Sequence, residues 1–120
     1  MAELSTRITV QSLSGAIAAE VGGVDLARLD DSAFAAIHDA FLTHQVLVFR
    51  DQWLSPADYL ALARRFGQPI PYPFATGLEC HPEITTVIKE PHQTSNFGGM
   101  WHSDLTYLAR PPKAARRPER

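Results

Sequence analysis

The chain has 120 residues, 45% of them hydrophobic and 20% charged, which is ordinary for a soluble globular domain. A formal net charge of −2 argues against nucleic-acid binding, which requires a clustered basic surface. A single cysteine excludes an intramolecular disulfide, and we find neither a signal-peptide pattern nor an apolar stretch near the roughly 20 residues of a membrane helix. We therefore expect a cytoplasmic domain, or a piece of one, with no nucleic-acid or membrane partner.

The first half of the chain predicts short strands around one helix. Residues 8–10 indicate an edge strand, and Gly22-Gly23 indicates a turn. A helix of about three turns is predicted to begin at an N-cap in Asp31-Ser32. Its largely apolar face consists of residues at helical spacing, namely Phe34, Ile37, His38, Phe41 and Leu42. The continuous apolar run 46–49 predicts a strand buried on both faces.

The second half predicts another helix, followed by loops and strands. Ser55-Pro56 is typical of an N-cap with proline at the first helical position, and Gly67 is well placed to end that helix. Residues 69–82 contain four of the nine prolines and are predicted to be loop. Residues 84–88 are β-branched throughout and predict a strand, whereas 91–99 predict a loop. The order of elements predicts a mainly β protein with flanking helices, an α+β fold.

The pattern His102-Ser103-Asp104 lies in residues 100–108, which we predict to be a strand. Residues i and i+2 of a strand point to one face about 6–7 Å apart, so an imidazole nitrogen and a carboxylate oxygen can converge on one ion. Such a pair supplies two ligands of a 2-His-1-carboxylate triad, which leaves positions open for a co-substrate and O₂. The pattern alone is weak, because about 0.3 chance occurrences are expected, and by itself favours a half-buried strand with solvent-facing His and Asp.

The longer string 95–107, SNFGGMWHSDLTY, resembles the metal-binding segment of taurine/2,4-dichlorophenoxyacetate-type dioxygenases. The run 46–52, followed by a Ser-Pro helix and Phe66-Gly67, is similar to that family too, as is the opening 22–26. The resemblance covers about residues 8–112 in the family's order, and its specific part is the W-H-S-D-x-T-Y string.

The resemblance implies a double-stranded β-helix, or jelly roll, with helices packed outside, which would be incomplete here. His102 and Asp104 would be the first two Fe(II) ligands, and we expect no catalytic residue beyond the metal ligands. The co-substrate 2-oxoglutarate would chelate the iron, and O₂ would bind beside it. A small organic acid, such as a sulfonate, sulfate ester or aryloxy acid, would be hydroxylated as succinate and CO₂ form.

Residues next to the ligand pair have competing interpretations. Asn96 and Phe97 precede the metal segment and could line the substrate pocket, although turn formation explains Asn96 equally well. Gly98 stands where a taurine-specific relative would carry a substrate-contacting Asn, which argues against taurine itself. Trp101 points opposite to His102 in a strand and is predicted to be core rather than substrate contact.

The resemblance also implies residues that this chain lacks. The family requires a second His as third ligand, a Thr, and an Arg that pairs with 2-oxoglutarate; only eighteen residues follow His102, and none is His. Residues 113–120 are basic and unlike the family, so we expect the dioxygenase part to end at 112. A frameshift or a wrongly ended gene model is the favoured explanation, and a natural disordered tail is the alternative.

These gaps lead us to expect a chain that is inactive and poorly folded by itself. The alternatives are a non-catalytic metal-binding or interaction module and a plain α+β domain without metal. The sequence leaves the oligomeric state open.

Overall fold

The structure is a computed structural model that describes residues 8–115, and it divides after Asp58 into two units. The elements in chain order are β1 (Thr9–Ser12), β2 (Ala19–Gly22), α1 (Asp31–His44), β3 (Leu47–Val48), α2 (Pro56–Phe66), β4 (Gly77–Leu78), β5 (His81–Thr85) and a 3₁₀ turn (Leu105–Tyr107). Two helices combine with two small sheets, so the coarse α+β prediction is confirmed.

The first unit, up to Asp58, is built on a three-stranded sheet in the order β1-β2-β3. Strand β1 pairs antiparallel with β2, and β2 pairs parallel with β3 through Ala19 opposite Leu47. Ala19 and Val21 are buried while Glu20 between them is partly exposed, as expected of a strand with one covered face. The sequence predicted only a turn near β2, because a four-residue strand beside glycines carries a weak periodic signal.

Helix α1 packs on β2 and β3. Its N-cap is Asp30, one residue before the predicted pair Asp31-Ser32, and the Asp30 carboxylate accepts a hydrogen bond of 2.7 Å from the Ala33 amide. Ile37 is 1% exposed and is the largest fully buried side chain of the described residues. Leu42, which was predicted to lie on the same apolar face, is 60% exposed. The apolar face is therefore narrower than the sequence indicated.

Strand β3 is a two-residue edge strand and is not buried on both faces as predicted. It pairs only with β2, at one side of the sheet. Val46 is exposed, and Leu47 and Val48 are partly exposed. A continuous apolar run cannot by itself separate a central strand from an edge strand, because position in the sheet is decided by distant segments.

A glutamine side chain connects the segments that follow β2 and β3. The Gln52 side-chain oxygen accepts from the Leu26 amide at 2.9 Å. Its side-chain nitrogen donates to the carbonyl oxygens of Val24 and Arg50, each at 3.1 Å. Leu26 is buried, so this contact satisfies a backbone donor that water does not reach freely.

Helix α2 begins and ends as predicted. The Asp58 amide donates to the Ser55 hydroxyl oxygen at 3.1 Å, and that hydroxyl donates to the Asp58 carboxylate at 2.6 Å. The helix ends before Gly67, whose φ of +157° suits glycine. Leu60 and Leu62 are its buried residues.

The second unit, from Tyr59 onwards, contains the antiparallel pair β4-β5. The predicted loop 69–82 and strand 84–88 are both partly wrong, since β5 spans His81–Thr85 and its partner β4 lies inside the predicted loop. A Cβ added at Gly77 would lie 2.0 Å from the Pro82 carbonyl oxygen, so the close pairing requires glycine there. Because β5 pairs with β4, it begins at His81, which lies before the predicted start of the strand at residue 84.

The predicted strand 100–108 is absent. Residues 100–104 have no regular structure, and Leu105–Tyr107 form a 3₁₀ turn in which the Asp104 carbonyl oxygen accepts from the Thr106 amide at 2.7 Å. Within residues 8–115 no strand pairs with this segment, and a lone extended segment is not stable without a ladder.

Two predictions concern the chain's end and a membrane. Residues 113–115 of the predicted basic tail contain neither helix nor strand, and 116–120 lie outside the described residues. In the described part of the chain, no helix is both long enough and apolar enough to cross a bilayer.

Candidate metal-ligand site

His102 and Asp104 face each other although their segment is not a strand. His102 Nε2 lies 3.5 Å from Asp104 Oδ1, and the two side chains are 54% and 88% exposed. The Asp104 backbone remains extended, with φ −71° and ψ −170°. The structure therefore brings the two predicted ligands together, while their role as metal ligands stays a prediction.

The His102 ring is oriented by its own backbone. His102 Nδ1 lies 2.7 Å from the Met100 carbonyl oxygen. A carbonyl oxygen only accepts, so Nδ1 carries a proton in this contact. In the neutral ring, Nε2 is then left unprotonated with its lone pair towards Asp104. A backbone carbonyl oxygen that accepts from the other ring nitrogen commonly orients metal-binding histidines in this way.

The turn that precedes the ligand pair lies under the imidazole. The Gly99 amide donates to the Asn96 carbonyl oxygen at 3.1 Å, and Gly98 has φ +68°, which favours glycine. A Cβ at Gly98 would lie 3.4 Å from His102 Cε1. The ring thus packs against a backbone surface with no side chain, beside an open concavity of about 580 Å³ lined by residues 98–102.

The donor pair fits part of a divalent metal site. Two ligand atoms at about 2.1 Å from one ion and at right angles to it are about 3 Å apart, close to the observed 3.5 Å. An unprotonated nitrogen and a carboxylate oxygen at this distance repel each other unless a cation or a proton lies between them. In the described residues no group of three or more His, Cys, Asp or Glu converges, so only two ligands are available.

The apolar residues beside the pair are exposed rather than packed. Trp101 is fully exposed, at 105%, and Met100 is largely exposed as well. The prediction that Trp101 is a core residue is therefore wrong for this structure. The prediction assumed a strand with one face against a barrel interior, and the described residues contain no such partner sheet.

The two predicted pocket residues each contact a residue that the sequence analysis did not single out. Asn96 Oδ1 accepts a hydrogen bond of 2.6 Å from Lys89 Nζ. The Phe97 ring lies edge-on to Tyr72, with centroids 6.2 Å apart, and Tyr72 in turn meets Phe74 at 5.6 Å. The sequence offers two signals for these contacts, namely a lysine after a β-branched run and two aromatic residues among prolines. Neither signal is specific.

The chain matches one protein family along most of its length. The profile of the family described as "Taurine catabolism dioxygenase TauD, TfdA family" aligns with residues 9–115. The chain therefore belongs to this family of dioxygenases, as the resemblance of the W-H-S-D segment predicted.

Individual relatives agree with this assignment. An alkylsulfatase of Acinetobacter baylyi is 32% identical over 109 residues, which are 89% of this chain and 33% of that protein. A (S)-phenoxypropionate/alpha-ketoglutarate-dioxygenase of Sphingobium herbicidovorans is 31% identical over 118 residues, covering 93% of this chain and 40% of that protein. The crystal structure of a taurine dioxygenase from Burkholderia xenovorans superposes with a TM-score of 0.68 at 35% identity, covering 88% of this chain and 37% of that one. The chain thus spans little more than a third of the length of these relatives.

Proposed function

We propose that the chain forms the N-terminal part of an Fe(II)- and 2-oxoglutarate-dependent dioxygenase in which His102 and Asp104 hold the iron. The observation that carries this proposal is the convergence of His102 Nε2 and Asp104 Oδ1 at 3.5 Å in a chain of a dioxygenase family. When bound, iron and 2-oxoglutarate supply an oxidation in which O₂ hydroxylates a substrate carbon and 2-oxoglutarate becomes succinate and CO₂.

The chain's own residues contribute orientation and charge. The Met100 carbonyl oxygen holds His102 with Nε2 towards Asp104, and the Asp104 carboxylate lowers the net charge of a bound cation. Asn96 and Phe97, a few residues before the pair, would line the substrate pocket. Gly98, without a side chain, lets the backbone lie close against the His102 ring, which helps to hold the imidazole in place.

The proposed substrate of the whole protein is a small organic acid, namely a sulfonate, a sulfate ester or an aryloxy acid. This is supported by relatives named for alkyl sulfate and phenoxypropionate chemistry. Taurine itself fits less well, because Gly98 offers no side-chain hydrogen bond where a taurine-specific relative would carry an Asn.

We propose further that the dioxygenase part ends near residue 112, with 113–120 as a basic tail, and that the chain alone is inactive. Among the described residues no group of three or more potential ligands converges, and the relatives extend over more than twice the matched length. A third ligand and the Arg and Thr of a 2-oxoglutarate site would have to come from further sequence. A chain with two ligands should bind the ion weakly.

The second candidate is a non-catalytic metal-binding or interaction module, which the approach of His102 Nε2 to Asp104 Oδ1 at 3.5 Å fits equally well. Both candidates require a metal at His102 and Asp104, so they differ only in whether 2-oxoglutarate is consumed.

Metal binding is tested with Mn(II), a paramagnetic substitute for Fe(II), titrated into the 120-residue chain under NMR observation. We expect selective broadening of the backbone signals around the pair, such as that of Ser103, and this broadening should be lost in both His102→Ala and Asp104→Ala. The matched control is His92→Ala, which removes an exposed His of the same unit and should leave the broadening intact. Equal broadening in His102→Ala would contradict the proposed site.

Catalysis is tested on a chimera that joins residues 1–112 to the remaining two-thirds of the Burkholderia xenovorans enzyme. Consumption of O₂ that depends on 2-oxoglutarate, and that His102→Ala abolishes, is expected. A folded chimera that binds Mn(II) but consumes no O₂ would favour the non-catalytic module.

A further inference from the structure

We infer that Lys89 is the anion-recognising residue of the proposed substrate pocket and that Phe97, Tyr72 and Phe74 form its apolar wall. The pocket would then select a substrate with an anionic group on an aromatic or alkyl body. This inference rests on the proposed function and assigns the residues that would determine its specificity.

The Lys89 ammonium is held in place without being neutralised. Its hydrogen bond of 2.6 Å goes to the neutral amide oxygen of Asn96. An ammonium has three N–H donors, so two remain for a ligand, and the full positive charge is retained. A neutral partner that positions a cation is suited to an incoming anion, which faces no competing carboxylate.

Two other basic residues of the described range, Arg28 and Arg50, are paired with carboxylates. Arg50 pairs with Glu20 at 3.2 Å, and Arg28 lies 3.9 Å from Asp25. Among residues 8–115, no carboxylate lies within ion-pair distance of Lys89. The charge of Lys89 is therefore available for recognition, whereas those of Arg28 and Arg50 are paired within the first unit.

The aromatic wall is an exposed cluster rather than a core. Tyr72 lies edge-on to both Phe74 and Phe97, and the two phenylalanines are 69% and 67% exposed. Edge-to-face packing fixes the rings relative to each other at little cost in side-chain entropy. Exposed, mutually packed rings are a suitable surface for the apolar body of a small ligand.

The loop before the ligand pair connects the two features to His102. Asn96 accepts the hydrogen bond from Lys89, and the next residue, Phe97, belongs to the aromatic cluster through its contact with Tyr72. The same turn continues to Gly98, against which the His102 ring packs. A cation, an apolar wall and a predicted metal ligand thus belong to one short segment and its contacts.

The experiment is an NMR titration of the 120-residue chain, without metal, with 2-phenoxypropionate as probe. Two comparison ligands each lack one of the recognised groups. The neutral 2-phenoxypropanamide lacks the anionic group, and inorganic sulfate lacks the apolar body. We expect the signals of Lys89 and Phe97 to shift with the acid and to respond much less to either comparison ligand. Lys89→Gln should weaken binding about fivefold, the upper range for an exposed charge pair. Phe97→Ala should weaken it roughly threefold.

Matched controls are available within the chain. Lys113 is the only other lysine, so Lys113→Gln makes the same charge change elsewhere and should leave the affinity unchanged. Trp53→Ala removes an exposed ring of the first unit and should also be neutral. Lys89 is exposed, so its substitution should not disturb folding, and unchanged amide spectra would verify this.

The result is independent of the metal site. Lys89→Gln should weaken probe binding while leaving Mn(II) binding intact, so failure of the metal proposal and failure of this inference are distinguishable. Equal affinity of wild type and Lys89→Gln, or equal binding of the acid and the amide, would overturn the inference, as would no binding of the acid at all.

Discussion

The two units of the chain use their side chains in different ways. The first unit is connected by contacts between residues far apart in sequence, such as the hydrogen bond of 2.9 Å from the Ala18 amide to the His44 carbonyl oxygen. In the second unit the His102 ring is oriented by the nearby Met100 carbonyl oxygen, and large apolar side chains such as Trp101 are exposed. The residues that stabilise this chain and those that offer chemistry are therefore largely separate sets.

The largest effect is expected from a core truncation in the first unit. Ile37→Ala should lower the free energy of unfolding by about 3 kcal/mol. Truncating a fully buried side chain loses its burial energy, and it also leaves a cavity in the core. Urea unfolding followed by circular dichroism measures the loss. Leu42→Ala on the same helix is the control and should change stability by no more than about 0.5 kcal/mol. Similar losses for both would mean that α1 does not pack as described.

A smaller effect is expected from the side chain that joins the segments after β2 and β3. Gln52→Ala should cost about 2 kcal/mol, because it leaves the buried Leu26 amide without its acceptor and removes two further hydrogen bonds. Hydrogen exchange at the Leu26 amide should accelerate in parallel. Gln68→Ala, at an exposed position, is the control and should leave exchange at Leu26 unchanged. Unaltered exchange in Gln52→Ala would contradict this role.

The same difference between the units limits what the sequence could predict. Helix α2 was predicted at both ends, because Ser55, Asp58 and Gly67 are local signals within a few residues of each other. The edge position of β3 and the role of Gln52 depend on partners more than 20 residues away, which periodicity does not detect.

At the candidate site, one prediction from the sequence is confirmed and another, a few residues away, is wrong. The approach of His102 to Asp104 could be predicted, because it needs only extended backbone over three residues. The predicted strand around them failed, because a strand requires a partner and the described residues contain none at this segment. Lys89 was missed because its significance comes from its contact with Asn96 and not from any pattern in the chain.

The smallest effect is expected where the sequence predicted a core residue and the structure has an exposed one. Trp101→Ser should change the free energy of unfolding of this chain by no more than about 0.5 kcal/mol, since its indole buries nothing here. Urea unfolding measures the change, and acrylamide quenching of a Trp53→Phe variant, in which Trp101 is the remaining tryptophan, reports the exposure directly. A loss as large as that of Ile37→Ala, with a shielded indole, would contradict the described exposure.

The same substitution in the chimera with the Burkholderia xenovorans enzyme sharpens the comparison between the units. If the additional two-thirds covers Trp101, as a core position would require, Trp101→Ser should there cost about 3 kcal/mol or more, within the range for truncating a buried Trp. A neutral result in the chimera would instead leave the indole at the surface and available to a ligand beside His102. The exposed apolar side chains of the second unit would then serve to contact a ligand rather than to pack in a core.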